Sequence, residues 1–547
     1  MKYPPEIENG GTEYKLLLDP DIDSERKEKL LTQLIYRINE GKGEAIYVIG
    51  VADDGDLIGI PPDQLEPTIT LLEELVEKIP GRMRILRKFE GDKGIIIEVL
   101  IRYQIKSENL PISYRVAVIG NVDAGKSTFI AALLSGEKDD GNGLLRQRMF
   151  RHRHEIETGR TSSVSMAVLG FNNSKVVNYG FPIFIERTNP EILSLSEKIV
   201  RFVDLAGHEK YLKTTMFGMT GLAPDYACLI IAVNMGIRPM TREHLGMALC
   251  LKVPIFIVFT KSDICPPEIF EQTKQQLKTI LKAPGISKIP FIVKNEDDAI
   301  VAARHVIRGR IVPIFNVSNR TGEGIPLVLN FLELLSPLRS WGEFEDPFLL
   351  YIDEIFSVRG TGTVISGIIQ SGTVRSGDYM LLGPSPDSSF REIRIKSIRY
   401  RDVPVSMGRP GQYITCALAN VRKDEVRKGQ VLCEQPNVAR EFNANVIILH
   451  HATTIRKGYE AMIHVQTVRQ QAKIKKLDKP LRTGDRAEVR FRFKYHPEHL
   501  QPGMTFLFRE GRTRGMGVII EPIPIKKLQN QSKPTKKVEK PVSRKNK

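Results

Sequence analysis

No stretch of this 547-residue chain reaches about 18 consecutive apolar residues, the length that a membrane span requires, so no membrane partner is expected. The first residues, Met1-Lys2-Tyr3-Pro4-Pro5-Glu6, lack the apolar core of a secretory leader. Secretion is therefore not expected, and a cytoplasmic location is. Cysteine is scarce. Cys228, Cys250, Cys265, Cys416 and Cys433 are scattered, odd in number and never spaced C-x-x-C. That pattern argues against a disulfide framework or a structural zinc site and fits reduced thiols. Residues 1–110 show neither the spacing of a metal-ligand set nor an activated nucleophile, and read as a binding or docking unit.

What is present is the composition of a folded protein: 41% hydrophobic and 26% charged residues, over a length that calls for three or four cores. The net charge is +16. From Lys526 to Lys547, eight Lys and one Arg face a single Glu, so this tail carries +8 and the remaining body another +8. A basic body is compatible with an RNA partner, and equally with a solubilising charge excess.

The texture of the chain divides it. In residues 1–110, Ser24 to Asn39 has helical spacing, with Leu30, Leu31, Leu34 and Ile35 on one side. Ala45–Val51 and Leu57–Ile60 flank Asp53-Asp54-Gly55-Asp56, which predicts a hairpin. A second helix from Pro62 to Lys78 precedes another strand pair around Gly91–Gly94. Residues 111–340 alternate apolar strands with helices, the pattern of an α/β domain with a mostly parallel sheet. Beyond that, short apolar runs separated by Gly-rich turns predict two all-β barrels, over 341–436 and 437–525. The Lys-rich, aromatic-free tail, 526–547, is expected to be disordered. The expected fold is thus multidomain: α+β, then α/β, then two barrels.

Chemistry concentrates in the α/β domain. Gly120-Asn121-Val122-Asp123-Ala124-Gly125-Lys126-Ser127 follows a strand, Val116–Ile119, and precedes a helix, Thr128 to Leu134. It fits the phosphate-binding loop G-x-x-x-x-G-K-[ST], whose backbone N–H groups point at phosphate oxygens. Lys126 is expected on the β- and γ-phosphates and Ser127 on Mg²⁺. A Gly-rich turn with no ligand would leave Lys126 unexplained, because a cation is disfavoured at a helix N-terminus. Downstream, Asp204-Leu205-Ala206-Gly207-His208 supplies an Asp that reaches Mg²⁺ through water and a Gly whose N–H serves the γ-phosphate. His208 stands where small GTP switches carry a water-orienting Gln.

Guanine selectivity is expected from Thr260-Lys261-Ser262-Asp263. Asp263 can accept from both N1–H and N2–H₂, a donor pair that adenine lacks. Asn is the usual residue at the position of Thr260; Thr keeps a hydroxyl but is expected to lose the amide's reach. Ser318 and Asn319 can offer backbone N–H groups to guanine O6. Thr161, within Glu157-Thr158-Gly159-Arg160-Thr161, is the expected switch ligand of Mg²⁺. Arg146, Arg148, Arg151, His152, Arg153 and His154 precede it as a basic run, either a solvated face or an RNA contact. The expected cofactors are GTP or GDP and Mg²⁺, bound by residues 121–128 with Thr260, Lys261, Asp263, Ser318 and Asn319.

With these motifs in place the chain resembles the translational GTPases of the elongation factor Tu / elongation factor 1-alpha group, and within it the GTP-binding protein 1/2 family. Thr241-Arg242-Glu243-His244, Phe348–Phe356 with Gly360–Val364, and Arg509–Gly517 carry the resemblance as well. It implies GTP hydrolysis assisted by His208, Gly207 and Lys126. It also implies two barrels that help to grip aminoacyl-tRNA, and a ribosome partner. Asp353, Glu354 and Phe356 match positions facing the aminoacyl pocket, or are ordinary barrel residues; Arg509, Glu510 and Arg512 match positions near the tRNA backbone. Two departures stand out. Ala124 replaces a His, and Arg160 replaces the Ile that pairs with Val122 as an apolar gate. Arg160 either faces ribosomal RNA or adds positive charge near the γ-phosphate.

Three functions are compatible with these residues. The first is a GTP-driven carrier of aminoacyl-tRNA or a tRNA-like ligand, expected to act as a monomer. The second is a GTP-gated adaptor in ribosome rescue or RNA decay. The third and most distant is the GTPase subunit of an ATP sulfurylase complex.

Overall fold

A computed structural model describes residues 3, 6, 10–103, 111–147, 149, 164–179, 187–283, 285–400, 403–451, 453–511 and 513–524. The chain divides into two compact units, Met1–Ser340 and Trp341–Lys547. Thr161, Arg160, Arg512, the tail and most of the basic run lie outside the described residues.

The first unit opens on a four-stranded sheet: β1 (Thr12–Lys15), β2 (Glu44–Ile49), β3 (Gly81–Glu90) and β4 (Ile95–Tyr103), in the order β1-β2-β4-β3. Helix α1 spans Ser24–Glu40, where the Asp23 side chain accepts from the N–H of Arg26 and Gly41 closes the last turn onto the Arg37 carbonyl. Helix α2, Pro62–Glu77, starts with proline at its first position, where the missing N–H costs nothing. Leu34 and Ile38 of α1 and Leu71, Leu72 and Leu75 of α2 form one core with Ile97, Val99 and Ile101 of β4.

The hairpin expected over residues 45–60 does not form. Both edges of β2 are already taken, by parallel β1 and antiparallel β4. Leu57 makes only one bridge, to Val51, and Ile60 pairs with Ile95 instead. Gly59, at φ +92, makes this crossing possible: a Cβ there would stand 2.4 Å from the Gly94 carbonyl oxygen.

The α/β part holds β5 (Ile112–Gly120), β6 (Ser165–Asn172), β7 (Lys175–Val176), β8 (Lys198–Asp204), β9 (Tyr226–Ala232), β10 (Ile255–Thr260), β11 (Ile289–Ile292) and β12 (Ile311–Asn316). The sheet order is β11-β12-β10-β9-β5-β8-β6-β7. It is parallel from β11 to β8 and antiparallel at β6 and β7. From β5 the chain builds first towards β8 and β6, then towards β9 and β10. The carboxyl end of β5 therefore marks the switch point where such sheets bind ligands. Helix α3, Lys126–Ser135, starts two residues earlier than its apolar pattern indicated.

Buried ion pairs join these two parts of the first unit. Glu44 of β2 receives Lys198 Nζ of β8 at 2.8 Å, Arg102 Nη2 of β4 at 2.9 Å and the Ser336 hydroxyl at 2.8 Å. Arg102 Nη1 also reaches Glu333 Oε1 at 2.7 Å, and Arg84 Nη2 reaches Glu333 Oε2 at 2.7 Å. Glu333 lies in the last turn of the helix Ile325–Leu334. A second bridge runs from Arg304 of the helix Glu296–Val306 to Glu98 of β4. Lys198 is fully buried, and burial pushes its ammonium down to about 8 against the pull of Glu44.

The second unit holds two closed six-stranded barrels. The first runs round through Leu349–Val358, Gly362–Ser371, Tyr413–Leu418, Arg391–Tyr400, Tyr379–Gly383 and Val431–Cys433. The second runs through Glu460–Val465, Thr505–Glu510, Thr513–Pro524, Val438–His450, Arg486–Phe493 and Val468–Lys476. Phe442, Phe491, Phe493, Phe506 and Phe508 fill the second barrel. Its Gly515 and Gly517 lie under the rings of Phe508 and Phe506, at 2.1 and 2.5 Å from a built Cβ, which accounts physically for glycine in Arg509–Gly517.

Candidate functional site

The loop from Gly120 to Lys126 is wound by three left-handed or unusual backbone positions: Gly120 at φ +147, Asp123 at +57 and Gly125 at +83. A Cβ on Gly120 would collide with the Ile230 carbonyl at 2.3 Å, so β9 itself demands glycine there. Lys126 opens α3 and folds back over the loop, its Nζ 2.9 Å from the Asn121 carbonyl and 3.3 Å from that of Gly120. Burial lowers its affinity for a proton, while Asp204 and Asp123 act in the opposite sense.

The strand β8 delivers the second element. Asp204 is its last residue, and Asp204 Oδ2 accepts from the Ser127 hydroxyl at 2.6 Å. Gly207 lies against the loop: a Cβ there would stand 2.5 Å from Lys126 Nζ and 2.7 Å from both the Asn121 carbonyl carbon and the Gly120 oxygen. Glycine at 207 is thus required by backbone contact alone. His208 caps the short turn Glu209–Tyr211, its Nδ1 accepting from the N–H of Lys210 at 3.1 Å. The bond fixes Nδ1 as an acceptor and leaves Nε2 to face other groups.

Thr260 ends β10 and is fully buried. Its hydroxyl donates to the carbonyl of Ala124 at 2.7 Å, so Thr at this position meets the phosphate loop. Lys261 follows at φ +61, and Asp263 is exposed in the turn Ser262–Ile264. Asn319 turns its amide nitrogen towards Gly125, 3.7 Å from a built Cβ, while the Ser318 hydroxyl accepts from the Thr321 N–H. Residues 121–128, 204–208, 260–263 and 318–319 therefore meet at one end of the sheet. Thr128 lies in the first turn of α3.

One contributor had no role assigned from sequence. His244, from the helix Pro239–Cys250, sends Nδ1 into the interior, where it accepts from the Gly120 N–H at 2.9 Å. Burial, with Lys126 nearby, pushes its imidazole down to about 3, so it stays neutral and keeps this bond. The run Thr241–His244 was visible in the sequence, but nothing in its spacing tells a loop-supporting histidine from a surface one.

In the first barrel, Asp353 is 2% exposed and accepts from Ser366 at 2.7 Å and Tyr413 at 2.9 Å. Two hydroxyls of neighbouring strands thus cover its carboxylate. Glu354 is exposed enough to meet Lys428 at 3.6 Å, and Phe356 is 41% exposed. Arg509 lies on the second barrel with Nε bonded to the Gly511 carbonyl, and Glu510 ends that strand.

Residues 113–338 match the elongation factor Tu GTP binding domain, 362–433 elongation factor Tu domain 2, and 441–519 the GTP-eEF1A C-terminal domain-like family. The chain is 45% identical to GTP-binding protein 1 of Xenopus laevis over 505 residues, covering 91% of this chain and 76% of that protein. It is 43% identical to GTP-binding protein 2 of Homo sapiens over 536 residues, covering 95% and 88%. Among solved structures, a bacterial selenocysteine-specific elongation factor aligns with TM-score 0.53 and 21% identity, over 75% of this chain and 58% of that one. The elongation factor SelB of Methanococcus maripaludis, in complex with the GTP analogue GppNHp, aligns with TM-score 0.54 and 18% identity, over 76% and 81%. These two likenesses speak to fold.

Proposed function

This chain belongs to the GTP-binding protein 1/2 family of translational GTPases, and on that premise we propose that it couples GTP hydrolysis to aminoacyl-tRNA, or a tRNA-like ligand, and to the ribosome. The observation that carries the proposal is the meeting of Ser127 and Asp204 at 2.6 Å, with Gly207 seated against Lys126. It brings the phosphate loop and the switch run into one site.

In this reading the N–H groups of residues 121–128 cradle the phosphates, and Lys126 leaves the loop carbonyls to neutralise the β- and γ-oxygens. The hydroxyl and carboxylate of Ser127 and Asp204 are hard oxygen donors that suit Mg²⁺. Ser127 would hold it directly and Asp204 through water, with Thr161 the switch ligand from outside the described residues. When bound, the ion neutralises charge that develops on the transferring phosphoryl group. The Gly207 N–H serves the γ-phosphate, and His208 Nε2 orients the attacking water. Thr260 tethers the phosphate loop. Asp263 takes the guanine edge, the stem of Lys261 covers the base, and the N–H groups of Ser318 and Asn319 meet O6.

The RNA part of the proposal draws on charge. Residues 1–436 are neutral overall, whereas residues 437–524 hold sixteen Lys and Arg against eight Asp and Glu. In the second barrel, Val468–Lys476 and Thr505–Glu510 both run antiparallel to Glu460–Val465. The exposed Lys475, Lys476, Lys479 and Arg482 thus lie at the same end as the turn after Glu510. Such a basic end suits a phosphate backbone.

The carrier reading is tested by tRNA binding with GTP and with GDP. It expects the GTP form to prefer charged over uncharged tRNA. Binding indifferent to both nucleotide and aminoacylation would favour an adaptor in ribosome rescue or RNA decay. A cytoplasmic location belongs to either reading; among the described residues no helix is long and apolar enough to cross a membrane.

A further inference from the structure

The stretch that follows α3 carries a carboxylate to which the roles above give no task. Asp139 lies four residues beyond the end of α3 at Ser135. Its backbone N–H donates to the carbonyl of Asn319 at 2.9 Å, which pins this stretch to the loop that begins at Ser318. Beside it, the aliphatic stem of Lys138 runs along Gly322, where a built Cβ would stand 3.3 Å from Lys138 Cε. Asn319 in turn faces the phosphate loop through Gly125. Asp139 is therefore held next to Asn319, a residue of the expected base loop that faces the phosphate loop.

Oδ1 of Asp139 is closed off from solvent and accepts no hydrogen bond, and the same is true of Oδ1 of Asn319. A buried carboxylate oxygen without a donor is costly, and native folds rarely keep one without a use. Two such acceptors on adjoining segments mark a place that lacks hydrogen-bond donors. A nucleotide's phosphates supply none and would repel Asp139. On the reading above, Asp263 takes the guanine N1–H and one hydrogen of N2–H₂. Beside the second N2–H, which inosine diphosphate lacks, the donors that remain on the ligand are the ribose hydroxyls, which lie between base and phosphates, as Asn319 of the base loop faces the phosphate loop.

We infer that Asp139 is a nucleotide-binding residue that accepts a hydrogen bond from a ribose hydroxyl and so selects ribonucleotides over deoxyribonucleotides. The inference rests on the reading of this site as a guanine-nucleotide site. Nothing in it depends on RNA or on the ribosome.

The test is equilibrium binding of GDP, 2′-deoxy-GDP, 3′-deoxy-GDP and inosine diphosphate to the full chain, to Asp139→Ala and to Asp139→Asn. A hydrogen bond to a charged acceptor should make GDP bind about tenfold or more tighter than one of the deoxy analogues. Asp139→Ala should erase that preference and keep the preference for GDP over inosine diphosphate, which shows that the site is still folded. Asp139→Asn should fall between. Equal binding of GDP and both deoxy analogues by the unaltered chain would overturn the assignment. So would a ribose preference that survives Asp139→Ala, or loss of the preference over inosine diphosphate in its place, which would put the hydrogen bond on the guanine amine. A chain that binds none of the four ligands would instead refute the guanine-nucleotide reading itself.

Discussion

The hydroxyl of Thr260 donates to the carbonyl of Ala124 across 2.7 Å, tying the end of β10 to the phosphate loop. Both groups lie in the interior. Removing the donor leaves a buried carbonyl unsatisfied, at a cost of about 1–3 kcal/mol. Thr260→Val, nearly isosteric, should therefore weaken GDP binding by roughly tenfold or more, and Thr260→Ser should stay near the unaltered chain. Nucleotide titration checks this; equal affinities for the Val and Ser variants would show that the tether contributes nothing.

Gly207 is held by backbone, not only by a ligand. A methyl group there meets the Gly120 oxygen and the Asn121 carbonyl carbon at 2.7 Å, neither of which is the movable end of a side chain. Gly207→Ala should push the Asp204–His208 run away from the loop. Hydrolysis should fall by about tenfold or more, and more steeply than GDP affinity, because the role proposed for the Gly207 N–H is towards the reacting phosphate, which GDP lacks. A variant with unchanged turnover would show that this run does not approach the γ-phosphate.

How much of this was legible in the sequence depends on the kind of signal. Gly120, Gly125 and Gly207 are readable because backbone geometry permits few alternatives at those positions. The helices α1 and α2 are readable from apolar spacing. The failed hairpin over 45–60 is a case of tertiary competition: local turn residues favoured it, but β1 and β4 occupy both edges of β2. His244, Asp139 and the Thr260 bond were invisible because each depends on a partner more than 100 residues away in the chain. At Asp353 the motif marks a position only; the bulge between Ile352 and Glu354 and the hydroxyls of Ser366 and Tyr413 that cover it depend on strands elsewhere in the chain.

The ion pairs within the first unit tie residues 10–103 to its α/β part. Glu44 is the shared acceptor of Lys198, Arg102 and Ser336, and Lys198 lies on the same strand as Asp204. Glu44→Ala leaves the buried Lys198 without its carboxylate, while Arg102 keeps Glu333, a loss on the order of 3–5 kcal/mol. It should lower the melting temperature of the chain by several degrees. Replacing Glu44 and Lys198 together by Met should recover part of the loss. A Glu44→Ala melt that superimposes on that of the unaltered chain would contradict this view of the seam.

Burial raises the carboxyl of Asp353 to about 6, with the Ser366 and Tyr413 hydroxyls acting in the opposite sense. The folded state therefore holds this proton more tightly than the unfolded state. Its stabilising contribution is complete below about pH 4 and is lost as the pH rises through about 6. Asp353→Asn keeps a polar partner for both hydroxyls and cannot ionise. Relative to this variant, the unaltered chain should lose roughly 2–3 kcal/mol of stability between pH 4 and 7. Melting curves across that range are the check; a constant difference between the two chains would mean that Asp353 titrates normally.

The site formed by Lys126, Ser127, Asp204, Gly207 and His208 is proposed to hydrolyse GTP in the service of translation. Its most direct test is single-turnover GTP hydrolysis by the full chain and by His208→Ala, alone and with ribosomes and aminoacyl-tRNA. The expected result is slow hydrolysis by the chain alone and marked acceleration when ribosomes and charged tRNA are present. His208→Ala should remove most of that acceleration while GTP binding stays nearly intact. Hydrolysis that ignores both ribosomes and tRNA, or that proceeds unchanged without the His208 imidazole, would contradict it.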